Sequence, residues 1–545
     1  MPFFEAISYV WGAPENPIPI LCDKRSINIT RNLHEVLLQI RSPTEPRSLW
    51  ADAICINQND IVERGQQVSL MGELYTRANR VLVCLGMDPD YHEEADAMAG
   101  LLSATDKMIL STLAKTQVDW DTFPETDPDN PLLKDERWEA MRALFDQPWF
   151  ERGWVVQEVW MNRDVKVLWG NSQFKWLALV RAYSWMTARA TEIHSRYNLT
   201  LLRTHMTQYT LRHENEAIPL MTHKPNPYFP GVMDATRGLQ LTDPRDRIYA
   251  FMSLALPGEM PSNLRPDYTK PHLEVYQGFA SEYITTGNDL GILALVDHGH
   301  STLAGAYPSW VPRWDIRITL ENIKAFSHPL PGNVLATVSN GVLKVRGTII
   351  GTVEFVSADI HWVMSGISDI IRILSDLADT QIATPYRDMP ALWAFVNILV
   401  AGLQPRGRQT WKADRAAYIL RLLEGNVPGM DIPDHQFERD GKGGNIAVFH
   451  SWVRAWGHTR RIIQTDRGYF GLAPGVVARG DLVCAIAGAT TLMCLRELGN
   501  GTYKLVGPTH IAGTQQRADG DPIALGAESI PVWSEWGQEE EMSIY

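Results

Sequence analysis

Little in this 545-residue chain points to disulfide or metal chemistry. Its five cysteines (Cys22, Cys55, Cys84, Cys484 and Cys494) form no C-x-x-C pair and stand at no zinc spacing from histidine, which argues for a reducing compartment. Cys55 and Cys84 fall in stretches that read as buried strands, where a free thiol acts as a small apolar group. Long apolar runs are also missing. The longest, Ala391 to Leu403, is too short to span a bilayer and carries Asn397. No block of lysine and arginine interrupts the formal net charge of −13, which excludes a general nucleic-acid or anionic-membrane binder. Met1 to Glu5 lacks the basic region and apolar run of a secretory signal. The expectation is a cytoplasmic protein with no membrane span and no nucleic-acid partner. The usual catalytic signatures G-x-x-x-x-G-K-[ST], H-E-x-x-H and G-x-S-x-G are absent. The histidines form no pair at helical spacing, so no metal site is expected.

What is present is an ordinary globular composition, 45% hydrophobic and 21% charged, long enough for roughly two to four domains. Nineteen tryptophans, mostly single in apolar surroundings, read as core anchors. Strand and helix patterns alternate at first. Phe4 to Trp11, Leu49 to Ile56, Val81 to Leu85 and Asp164 to Trp169 read as strands. Asn32 to Arg41, Asp60 to Asn79, Glu93 to Leu113, Arg137 to Phe145 and Gly153 to Trp160 read as helices. Such alternation predicts a parallel sheet with right-handed crossovers. A mainly helical middle region (191–332) follows this first domain (1–190). The last region (333–545) is β-rich with a helical insertion between Ile367 and Leu423, and Arg461 to Ile511 reads as a β-meander.

The stretch Leu49-Trp-Ala-Asp-Ala-Ile-Cys-Ile-Asn-Gln58 is the most informative. It is an apolar run holding one Asp and opening into polar residues, as at the carboxyl end of a strand where open α/β sheets bind ligands. With Ile7-Ser-Tyr-Val-Trp-Gly12 before it, and Glu63-Arg64, Gln67, Met71, Tyr75, Ala78 and Val81-Leu-Val-Cys-Leu-Gly86 after it, the segment resembles the heterokaryon-incompatibility (HET) domain of filamentous fungi. Leu241 to Phe251, Pro266-Asp-Tyr268 and Pro308 to Trp314 resemble segments that follow that domain in full-length members. The resemblance implies a role in non-self recognition and programmed cell death, with self-association or a signalling partner protein.

Arg152-Gly-Trp-Val-Val-Gln-Glu158 is similar to the Trp-Cys-x-x-Glu segment of Toll/interleukin-1 receptor (TIR) domains, with Val155 in the Cys position, and Ile7-Ser-Tyr9 resembles their opening strand. That likeness implies a TIR-like (flavodoxin-like) sheet. It also implies that Glu158 is the catalytic carboxylate for cleaving the nicotinamide–ribose bond of NAD, which would be a substrate rather than a cofactor. One carboxylate facing the ribose stabilises an oxocarbenium-like transition state. Tyr9 or Trp11 would stack the nicotinamide, Asn57 or Arg64 would supply a polar contact, and Trp154 shares a helical face with Glu158. Each residue has a structural alternative. Glu158 could pair with Arg152 or Arg163. Glu63 could close a capping box on Asp60, and Arg64 could pair with Asp52 or Glu158. Asp52, enclosed in an apolar run, is either a hydrogen-bonded anchor or a site residue.

Overall fold

The computed structural model describes residues 3–116, 123–124, 126–190, 192–197, 199, 229–255, 264–316, 336–358, 364–386, 390–402, 411–430, 441–512 and 537–545. Contacts divide the chain into two compact units, Met1–His272 and Leu273–Tyr545.

The first unit begins with β1 (Glu5–Tyr9), a hairpin of β2 (Ile18–Cys22) and β3 (Arg25–Ile29), and α1 (Arg31–Ile40). The Thr30 hydroxyl caps α1 by accepting from the Leu33 amide, and Leu33, Val36 and Ile40 bury one face, as their spacing predicts. Next come β4 (Leu49–Trp50), a single helical turn α2 (Asp52–Cys55), α3 (Ile61–Arg77) and β5 (Arg80–Cys84). After α4 (His92–Thr116), α5 (Glu139–Phe145) and α6 (Trp154–Trp160), the chain forms β6 (Val165–Trp169), β7 (Ser172–Lys175) and α7 (Trp176–Arg189).

The sheet order is β4-β1-β5-β6-β7. β4, β1, β5 and β6 run parallel, and β7 turns back antiparallel to β6. Counting only its own strands, the order is 2-1-3-4-5, the flavodoxin-like arrangement with a reversed edge strand. The reversal is local: Gly170 takes a left-handed φ of 53° in the tight turn between β6 and β7. β1 is flanked by parallel partners on both edges, so its carboxyl end lies at the switch point where such sheets place ligands.

One expected strand is corrected. Leu49 to Ile56 is a strand for two residues only, and Asp52 then starts α2. The Asp52 side chain accepts from the Ala53 amide at 2.8 Å, a local bond that competes with the sheet ladder and favours a helix start. Cys55 is therefore exposed rather than buried in a strand, whereas Cys84 is buried in β5.

All of α8 (His272–Gly287) but its first residue belongs to the second unit, which also carries a short helix, α9 (His300–Ala304). Its sheet contains β8 (Thr337–Ser339), the long β9 (Val342–Val356), β10 (Arg460–Thr465), β11 (Phe470–Pro474), β12 (Leu482–Ile486), β13 (Leu492–Gly499), β14 (Thr502–Ile511) and β15 (Glu540–Ile544). The meander closes on itself. β9 pairs with both β10 and β12, and β11 pairs with β14, so the ring β9-β12-β13-β14-β11-β10 returns to its start. Ile350, Val353, Ile463, Val483, Cys494 and Val506 belong to one buried cluster of this ring. The expected helical insertion sits between β9 and β10. Its helices Ile367–Asp379, Ala391–Leu399, Trp411–Leu423 and Ile446–Gly457 pack a second core with Ile462, Phe470 and Leu472 of β10 and β11. Eight tryptophans are among the largest fully buried side chains, in line with their reading as anchors. No helix of the described residues is long and apolar enough to cross a membrane.

Candidate functional site

Alternation along β1 sends Ser8 and Tyr9 to opposite faces of the sheet. Tyr9 is 2% exposed and packs among Ile7, Leu33, Val36 and Leu82, on the α1 side. Ser8 faces the other way and accepts from the Trp149 indole at 2.8 Å. Glu158, 2% exposed on α6, lies beside Ser8 on this second face, and its Oε2 has no hydrogen-bond partner among the described residues. Arg152 links the two faces at the strand end. Its guanidinium donates to the Tyr9 carbonyl and lies within electrostatic reach of both Asp52 and Glu158.

Asp52 accepts from the Trp11 indole at 2.8 Å, and Trp11 remains 36% exposed at the rim. The two carboxyls thus share one guanidinium. Burial raises Glu158 from 4.5 to about 7, opposed by Arg152 and the Ser8 hydroxyl and assisted by the negative charge of Asp52. Burial also raises Asp52, against Arg152, the Trp11 indole and the Ala53 amide. Two buried carboxyls, both raised by burial, thus lie within reach of Arg152 at the carboxyl end of β1.

Tyr9, Trp11, Asp52 and Glu158 are therefore brought to one strand end, with Tyr9 and Glu158 on different faces. The remaining candidates lie elsewhere. Asn57 is exposed; its side chain accepts from the Asn59 amide, and its own amide donates to Glu63 Oε1 at 3.1 Å. This corrects the expected capping box. Asp60 does cap α3 through the Val62 and Glu63 amides, but its own N–H is already bonded to the Asn57 carbonyl, so Glu63 bonds Asn57 instead.

Arg64 pairs with neither Asp52 nor Glu158. It stacks 4.0 Å over the Tyr268 ring and lies 3.8 Å from Asp243. Trp154 joins the same cluster by donating to Asp246 at 3.2 Å, and the Tyr268 hydroxyl donates to Asp246 at 2.6 Å. Burial pushes Asp246 up to about 6. Glu158 and Trp154 share a face by spacing, yet their polar partners belong to different clusters.

The second cluster belongs to a strap that grips α6. The Gly153 amide donates to the Gln240 carbonyl at 2.8 Å, and the Gln240 amide to the Glu151 carbonyl at 2.6 Å. Farther along α6, the Gln157 amide group, oriented to satisfy its neighbours, donates to the Ala250 carbonyl at 2.9 Å. The strap holds two of the segments that the sequence singled out, Leu241 to Phe251 and Pro266 to Tyr268. Sequence reasoning missed Ser8, Trp149 and Asp246. Ser8 stood inside the quoted Ile-Ser-Tyr, whereas nothing local marked Trp149.

Fold and strand-end chemistry define a doubly wound α/β module with an acid cluster at its switch point. Residues 4–158 match the family model described as heterokaryon incompatibility protein (HET), and the chain carries a HET domain whose match ends on Glu158 itself. Nearly the whole chain is similar to heterokaryon incompatibility protein 6, OR allele, of Neurospora crassa. The two are 24% identical over 610 residues, covering 94% of this chain and 89% of that protein. No solved structure matches the chain.

Proposed function

We propose that this protein acts in fungal heterokaryon incompatibility as a cytoplasmic cell-death effector, and that its HET domain hydrolyses NAD at the Glu158 cluster. The likeness to an incompatibility protein over most of both chains supports the biological role. The chemical reading rests on one observation: a buried carboxyl with an unpartnered oxygen lies at the switch-point end of a sheet ordered 2-1-3-4-5. That strand order also supports kinship with TIR domains.

In this reaction the glycosidic C–N bond breaks and its electron pair leaves with nicotinamide. Ionised Glu158 stabilises the positive charge on the ribose, and water adds to the anomeric carbon, releasing a proton. Burial sets the charge state of Glu158, tuned by Arg152 and Asp52, and Trp11 offers an aromatic surface at the rim. With Glu158 2% exposed the site is closed, so turnover requires the rim around Trp11 and Arg152 to open on self-association.

The competing reading is a non-enzymatic module that signals through self-association or a partner protein. The burial of Glu158, and the placement of Tyr9 on the other face, favour it. Purified protein incubated with NAD separates the two. Nicotinamide release that rises with pH through about 7, disappears in Glu158→Gln and persists in Glu63→Ala supports the hydrolase. No release from the wild type in any oligomeric state supports the signalling module.

A further inference from the structure

The second unit contains a cavity of about 590 Å³, lined by His300, Glu354 to Val356, Arg461, Val476 to Arg479 and Arg496. Three guanidiniums and an imidazole face one lining carboxylate, in a chain whose formal net charge is −13. Positive charge gathered in one concavity against the sign of the whole molecule favours an anion there. We propose that this cavity, at the Val356 end of β9, binds a small organic phosphate.

Two of the arginines are presented differently. Arg496 is fixed from behind: its Nε and Nη2 donate to Asp481 at 2.7 and 2.9 Å, and Nη2 also reaches the Val476 carbonyl at 2.9 Å. Asp481 is 3% exposed, so this pair is a rigid mount. It leaves the Nη1 donors of Arg496 without a partner among the described residues. Arg479 instead spends Nε and Nη2 on a single oxygen of Glu354, at 2.9 and 2.6 Å, with its own side chain 77% exposed. An exposed pair of this kind is weak and exchanges at little cost. Glu354 is a placeholder that an incoming anion displaces.

One guanidinium held rigid with free donors and one released on binding suit the oxygens of a phosphoryl group. Val476, Val477 and Ala478 supply an apolar wall for the rest of the molecule, and the volume lies within the usual range for small-molecule sites. This site is independent of the Glu158 reading.

Phenyl phosphate is the probe, titrated calorimetrically into the full chain. Saturable binding is expected, weakening as salt rises. Arg479→Ala should weaken it by about tenfold. Arg346→Ala should leave it unchanged, since that residue lies on the same strand but pairs with Glu539 outside the cavity. Phenol, which lacks the phosphoryl group, should not bind. Absence of saturable binding, equal weakening by both substitutions, or equal binding of phenol overturns the proposal. A thermal melt of each variant identifies any loss that comes from unfolding.

Discussion

A carboxyl buried beside another acid makes folding depend on its protonation. Glu158 titrates near 4.5 when free and at about 7 in the folded chain, so between those values the native state holds more protons than the unfolded one. Stability therefore falls as pH rises through that window. The penalty is absent below about 4.5, complete above about 7, and amounts to roughly 3 kcal/mol at most. Asp52 and Asp246, also raised by burial, add slope of the same sign. Glu158→Gln removes its own share of that slope. Urea midpoints at pH 5 and pH 8 should move apart less in the variant than in the wild type. Equal separation in both would show that this carboxyl is not the group responsible.

At the scale of elements, α6 owes its position to the strap as much as to the sheet. α3 contributes a close approach at Gly72, where an added Cβ would lie 2.4 Å from Ser253 Cβ. A side chain there would push the strap away from α6. Gly72→Ala should cost about 1–3 kcal/mol by overpacking. Ser253→Gly in the same chain should recover most of it, because it removes the clashing atom. Additive losses in that double-mutant cycle would place the damage elsewhere. The close approach was invisible in the sequence, since Gly72 sits mid-helix and Ser253 lies far along the chain.

For the molecule as a whole, the family match ends at Glu158, whereas the compact first unit extends to His272. The hydrogen bonds from residues 240–250 to the start and middle of α6 explain the difference. A fragment of residues 1–272 should unfold in one cooperative urea transition, with protected amides in α6. A fragment ending at residue 190 should lose that protection in hydrogen exchange. Equal protection in the two would mean that the strap adds nothing to the fold of α6.

The α/β order, the helical insertion and most helices were legible, because periods of two and near four are local consequences of which residues meet the core. The HET likeness was legible too, from short motifs in a fixed order. Local chemistry decided some points against the pattern, as where Asp52 bonds its neighbour's amide and ends the strand of Leu49. Pairing between distant residues lay beyond any window. Only the folded chain could send Arg64 to Tyr268, place Tyr9 and Glu158 on different faces of one strand end, and join β9 to both β10 and β12. Periodicity states which side of an element is buried, and burial alone does not state against what.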